Sequence, residues 1–205
     1  MHVIQRGNNR CRVFLNTGDA ASYRQRMFIA GERAGCAIHA YVLMSNHVHL
    51  LLTPSRDDSA TRLMQRLGAA YVRRFNERHG RTGTIWEGRY YAIPIGSDKQ
   101  FFSCSRYIEL NPLRAKMVDA PGAYAWSSYR SNALGEWEAG LSPHSLYQAL
   151  GATPGERAEA YRAMFEEVIP EETLALIRRA RVAERGGDRK SESFRKARKS
   201  KGRSS

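Results

Sequence analysis

Residues 36–54 read CAIHAYVLMSNHVHLLLTP, and the way this stretch divides decides the fold. Two runs rich in aliphatic, β-branched and aromatic residues flank the polar pair Ser45-Asn46, and Pro54 closes the second run. The pattern predicts a hairpin with strands over about 36–43 and 47–53. Side chains alternate along a strand, so His47 and His49 leave one face while Val48 and Leu50 leave the other. The apolar residues go to a core and the imidazoles do not. Two imidazoles about 6.6 Å apart along a strand can converge on one divalent ion. Two solvent-facing histidines are the simpler explanation, so the pair needs further groups before it counts as a site.

Working outward, the upstream segment HVIQR alternates and predicts a strand ending at Gly7. Asp19 is placed to cap a helix running to about Gly35, with Tyr23, Met27, Phe28 and Ala34 at helical spacing. Downstream, Ser59 caps a second helix to about His79, with Leu63, Leu67, Ala70, Tyr71 and Phe75 on one stripe. TIWEGRYYAIPI predicts another strand over about 89–95. Asp98 then caps a third helix, DKQFFSCSRYIELN, expected to stop near Asn111 because Pro112 disfavours α geometry in the residue before it. The order β-α-β-β-α-β, followed by a helix, defines an α+β fold. It is the ferredoxin-like split βαβ arrangement, an antiparallel sheet with helices on one face. The expected domains are a catalytic domain over 1–133, a small helical appendage over 134–185 and a basic, disordered tail over 186–205.

The net charge is +13 and the pI about 10.1, which favours a polyanionic partner such as nucleic acid. Much of the excess lies at the end of the chain, where residues 178–205 hold 12 Lys/Arg against 3 Asp/Glu. No apolar run approaches the roughly 20 residues that span a bilayer, and the polar N-terminus lacks a signal-peptide core. A cytoplasmic, nucleoid-associated protein without a membrane partner is expected. Cys11, Cys36 and Cys104 are widely spaced, which argues against a disulfide framework and a cysteine zinc site.

The third helix offers the groups that the histidine pair lacks. Tyr107 and Asn111 are four residues apart and share one helix face. A tyrosine can act as a nucleophile through a covalent intermediate, and an asparagine carbonyl is a hard oxygen ligand suited to Mg²⁺ or Mn²⁺. Either residue alone is equally well explained as a core aromatic or a helix terminus.

LMSNHVHLLLTP (43–54) resembles the HUH motif, histidine-hydrophobic-histidine. RYIELNPLRAKMV (106–118) resembles the segment that carries the catalytic tyrosine in the REP-associated tyrosine transposases, relatives of the small single-tyrosine insertion-sequence transposases. HVIQRGNNR, WEGRYYAIPI and YAWSSY are similar to that family too, in the right order, so the resemblance covers about residues 2–130. It implies that His47, His49 and Asn111 bind a divalent ion, Mg²⁺ or Mn²⁺, and that Tyr107 forms a 5′-phosphotyrosine with DNA. The insertion-sequence relatives usually have glutamine where this chain has Asn111. The implied substrate is single-stranded DNA bearing hairpins from repetitive extragenic palindromes. The implied assembly includes a homodimer, with Tyr107 serving its own subunit or its partner's.

Arg6, Asn8, Asn9 and Arg10 near the first turn, Arg73, Arg74 and Arg78 on the second helix, and Arg89 beside Trp86 and Tyr90 are suited to phosphates and unstacked bases. Each is equally well read as a solvated arginine or a core aromatic. His2, His39, His79 and His144 show no convergent partner in the sequence and are read as structural. Three functions compete: a nicking and joining transposase, a domesticated protein that binds hairpin DNA without cutting it, and a metal-dependent hydrolase. The last lacks the further His, Asp or Glu cluster expected beside the histidine pair.

Overall fold

HVIQR forms β1 (His2–Arg6), and a short 3₁₀ turn carries the chain to α1 (Thr17–Ala34). The hairpin follows as β2 (Cys36–Met44) and β3 (His47–Pro54), broken at Ser45-Asn46 as the sequence predicts. Next come α2 (Ser59–His79), β4 (Tyr91–Ile93), α3 (Asp98–Glu109) and α4 (Asn111–Arg114), then α5 (Tyr129–Leu134), α6 (Ser145–Gln148) and α7 (Pro154–Ala163). The structure is a computed structural model that describes residues 1–171, 174 and 175. The last part of the expected helical appendage, beyond residue 171, lies largely outside the described residues, and the basic tail over 186–205 lies wholly outside them.

The four strands run in the order β2-β3-β1-β4, and every neighbouring pair is antiparallel. Placing β3 between β1 and β2 is the split βαβ arrangement, so the expected ferredoxin-like α+β class is the observed one. β4 is shorter than the 89–95 segment predicted. It is an edge strand, and Pro94 has no N–H with which to extend its ladder.

Alternation gives the sheet two buried faces. Val3, Tyr41, Leu43, Val48, Leu50 and Leu52 form one core with Tyr23 and Met27 of α1 and Leu63, Leu67, Tyr71 and Phe75 of α2. Each fully buried Leu or Phe contributes roughly 1.5–3 kcal/mol relative to exposure. The two helices of the βαββαβ unit therefore share one face, as expected. The other face carries His2, Ile4, Val42, His49 and Leu51, all at most 1% exposed. α3 covers it, with Tyr107 against His2 and His49 and Phe101 against His39. The helix after the repeat thus forms a second layer.

Three helix starts differ from the sequence reading, one being α2, where Asp58 is the N-cap residue and Ser59 the first helical one. Asn16 Oδ1 accepts the Asp19 N–H at 3.0 Å and Ser97 Oγ accepts the Gln100 N–H at 3.3 Å, so these residues cap α1 and α3. Asp19 and Asp98 instead occupy the first turns, where a carboxylate favours the helix dipole. Asp19 also joins α1 to α2 through Arg78 at 3.0 Å and His79 at 2.9 Å.

Met1–Ile169 forms one compact unit. The expected boundary at 133 falls inside it, within α5. A buried network explains the continuity. Glu109 of α3 accepts from Ser128 Oγ at 2.6 Å, Asn132 Nδ2 at 2.8 Å and Tyr161 Oη at 2.9 Å, joining α3 to α5 and α7.

Burial pushes the Glu109 carboxyl up to about 7, against the pull of its three donors. The folded chain therefore holds a proton that the unfolded chain releases at ordinary carboxyl pH. The resulting stability is fully present below about 4.5 and is lost as pH rises through about 7. For a fully buried group the span is worth about 3 kcal/mol at most. His39 works in the opposite direction: burial lowers it to about 4, so its contribution is present above 6.5 and is lost as pH falls. Comparing wild type with Glu109→Gln isolates the glutamate. Denaturant titrations at pH 5 and pH 8 are expected to show the variant gaining on wild type at pH 8 by up to about 3 kcal/mol. An equal difference at both pH values rules out a proton at Glu109.

Candidate functional site

The site follows from the register of the sheet. Arg6 lies opposite His47, Ile4 opposite His49 and His2 opposite Leu51, so Arg6, Ile4, His47 and His49 share the face that α3 covers. The rings of His47 and His49 are 5.0 Å apart and nearly perpendicular. Two imidazoles bound to one ion at about 2.1 Å have centres about 4.5–5.2 Å apart for ligand angles of about 90–109°. The observed separation fits.

Hydrogen bonds select the nitrogens presented. Asn46 Nδ2 donates to the Arg10 carbonyl at 3.1 Å, which turns Asn46 Oδ1 toward His47 Nδ1 at 2.7 Å. Oδ1 can only accept, so His47 carries its proton on Nδ1 and presents the lone pair of Nε2. His49 Nδ1 is 2.9 Å from His2 Nε2, and the two rings stack at 5.1 Å. When His49 Nδ1 donates to His2, His49 likewise presents Nε2. Both Nε2 atoms are buried. His2 and Asn46 thus do what second-layer partners of ligating histidines do, fixing tautomer and ring orientation. The sequence reading of His2 as a histidine without a partner is corrected here.

α3 brings Tyr107 to this pair. Its ring lies 6.0 Å from His49 and 6.5 Å from His2, edge-on to both. The residue is 5% exposed, yet its hydroxyl is neither hydrogen-bonded among the described residues nor sealed from solvent. By contrast, Tyr41, Tyr71, Tyr124, Tyr147 and Tyr161 donate their hydroxyls to carbonyl or carboxylate oxygens.

Asn111 lies one turn beyond Tyr107. Its Nδ2 donates to the Tyr107 carbonyl at 2.9 Å and reaches the Ile108 carbonyl at 3.4 Å, whose helical donor would have been the N–H that Pro112 lacks. Carbonyls can only accept, so the amide is fixed with Nδ2 toward the helix and Oδ1 away from it. α3 ends at Glu109, close to the expected stop, but the chain turns straight into a further short helix. Leu110 forms a joint, and α4 continues with Arg114 N bonded to Leu110 O at 2.9 Å. Among the described residues no three His, Cys, Asp or Glu side chains could hold a metal together. Among the described residues, Asn111 Oδ1 is a neutral oxygen of the type that could join a two-histidine centre.

The arginines expected to meet DNA are divided. Arg6 adjoins His47, and Asn8 and Arg10 are exposed in the loop that follows. That loop is tightly built. A Cβ on Gly7 would overlap the Cys11 carbonyl oxygen and lie 2.7 Å from Val13 Cγ1. Asn9 and Arg10 adopt left-handed backbone, with φ of 49° and 58°. Arg73 and Arg74 are exposed on α2, across the sheet from Tyr107, with Arg73 3.9 Å from Glu77. Arg89 is exposed before β4, but Trp86 is 6% exposed and packed on Tyr23 and Tyr71, so it is a core residue. Arg114, which the sequence reading did not single out, sits with its guanidinium 5.1 Å from the centre of the Tyr107 ring.

The fold is that of a transposase. The chain superposes on the solved REP-associated tyrosine transposase bound to a REP hairpin with a TM-score of 0.53 and 19% identity, covering 71% of this chain and 87% of that one. This chain belongs to the IS200-like transposase family, whose profile matches residues 1–111. No curated protein matches it.

Proposed function

We propose that this transposase nicks and rejoins single-stranded, hairpin-bearing DNA through a 5′-phosphotyrosine at Tyr107. The observation that carries the reading is the delivery of Tyr107 by α3 onto the face that holds His47 and His49. Family membership supports DNA cleavage and joining as the class of reaction. The structural neighbour is bound to a REP hairpin, which supports hairpin DNA as the substrate.

In the proposed reaction, Tyr107 Oη bonds to phosphorus as the bond to the 3′ oxygen breaks. The phenolic proton passes to water, and the leaving 3′ oxygen takes one back. The phosphodiester is exchanged for a phosphotyrosine, so rejoining by another 3′-hydroxyl needs no external energy source. Nε2 of His47, Nε2 of His49 and Oδ1 of Asn111 would hold a divalent ion, Mg²⁺ or Mn²⁺, which supplies Lewis-acid stabilisation of charge on a non-bridging oxygen. His2 and Asn46 keep the two imidazoles oriented, and Arg6, Asn8 and Arg10 border the site where a DNA backbone would pass. Arg73, Arg74 and Arg89 would serve DNA only outside this centre.

The test is incubation of the full chain with hairpin-bearing single-stranded DNA and Mn²⁺, followed by a denaturing gel. The expected product is a protein-linked strand carrying the sequence downstream of the nick, with a free 3′-hydroxyl on the upstream piece. Tight hairpin binding without any adduct would instead support a domesticated binding protein. Nicking without a protein-linked strand would support water as the nucleophile.

A further inference from the structure

We propose that Arg114 is a further catalytic residue, whose guanidinium binds the scissile phosphate beside Tyr107 and offsets the negative charge that grows there during transfer. The proposal rests on the phosphotyrosine reading above.

The first support is position. Because the chain stays helical through Pro112, Tyr107, Asn111 and Arg114 fall at i, i+4 and i+7, within about 60° of azimuth on one stripe. The stripe that presents the nucleophile and a carbonyl oxygen therefore also presents a cation, and the guanidinium lies 5.1 Å from the Tyr107 ring centre.

The second support is that the charge is not otherwise used. Arg78 pairs with Asp19, Arg106 with Glu167, Arg130 with Glu136 and Arg24 with Glu138. Arg114 pairs with no carboxylate among the described residues and is exposed. A cation on a tyrosine face at an exposed site is worth only about 0.5–1 kcal/mol. That is too little to hold the side chain against a phosphate, which offers a bidentate, charge-assisted partner.

The third support is chemical. As the Tyr107 Oη–P bond forms and the P–O3′ bond breaks, the non-bridging oxygens carry most of the charge. Arginine presents a planar fork that matches two such oxygens. Arg6 lies on the histidine face from β1, opposite His47, whereas Arg114 approaches from the tyrosine side. The two arginines would thus bracket one phosphate from opposite elements.

The experiment measures single-turnover adduct formation by the full chain at saturating hairpin DNA with Mn²⁺, for wild type, R114A and R114K. The substrates carry either the natural scissile phosphate or a neutral methylphosphonate. On phosphate, R114A is expected to be slower by about 10²–10³-fold, the usual cost of removing one transition-state donor. R114K should recover part of the rate, since it keeps the charge but not the fork. The Kd for hairpin DNA should change by less than about threefold, because one phosphate contact among many is lost. On methylphosphonate, wild type and R114A should differ by less than about threefold, since the charge that Arg114 offsets is absent. An R114A rate equal to wild type on phosphate overturns the proposal. So does an equal deficit on both substrates, which would mean that Arg114 only positions the ring. If wild type forms no adduct on phosphate, the phosphotyrosine reading falls and this proposal falls with it.

Discussion

Tyr107→Phe is expected to abolish covalent attachment to DNA, a loss of at least about 10⁴-fold in adduct formation, comparable with the loss of a nucleophile in other covalent enzymes. Phenylalanine keeps the ring, and with it the edge-on contacts to His2 and His49 and the guanidinium contact of Arg114. The hydroxyl makes no hydrogen bond among the described residues, so removing it breaks no internal polar contact. The melting temperature and the hairpin Kd should therefore stay close to wild type. The core tyrosines are not placed to substitute. Tyr41, Tyr71 and Tyr161 have their hydroxyls engaged in the core, and burial pushes all three above the usual phenol range. An adduct formed by the Phe variant would show that Tyr107 is not the attacking group.

His47→Ala is expected to lower adduct formation by about 10²–10³-fold while leaving the nucleophile in place. The imidazole is half-buried and bonds to Asn46 at 2.7 Å, so its loss opens less of the core than loss of the fully buried His49. The distinguishing sign is metal dependence. With one ligand fewer, the variant should need more Mn²⁺ for half-maximal rate and should recover part of its activity at high concentration. A variant that is slow at every Mn²⁺ concentration, with an unchanged half-saturation point, would assign His47 a role other than holding the ion.

These two residues were legible in the sequence because the information needed was local. A strand period of two puts His47 and His49 on one face, and the helical period puts Tyr107 and Asn111 on another. What escaped the sequence depends on pairing between distant segments. His2 becomes the partner of His49 only because β1 pairs with β3 in one particular register, and no pattern within HVIQR states that register. Trp86 looked available for stacking because Arg89 and Tyr90 follow it closely, yet its bridge to Gly7 turns it into the core. Arg114 was missed for a different reason. Pro112 was read as a stop, whereas Asn111 caps the freed carbonyls and lets the helix resume, which returns Arg114 to the stripe of Tyr107. The single-face expectation held for α1 and α2. α3 had to take the opposite face because His2, Ile4, Val42, His49 and Leu51 would otherwise face water.

The most direct test of the central claim is to map the covalent bond. The full chain is reacted with hairpin-bearing single-stranded DNA and Mn²⁺, the DNA is trimmed with nuclease, and tryptic peptides are analysed by mass spectrometry. Trypsin releases residues 107–114 as YIELNPLR. The account predicts that this peptide carries a nucleotide through the 5′-phosphate on Tyr107. A nucleotide on any other tyrosine-containing peptide, or a nicked strand with no modified peptide, would contradict it.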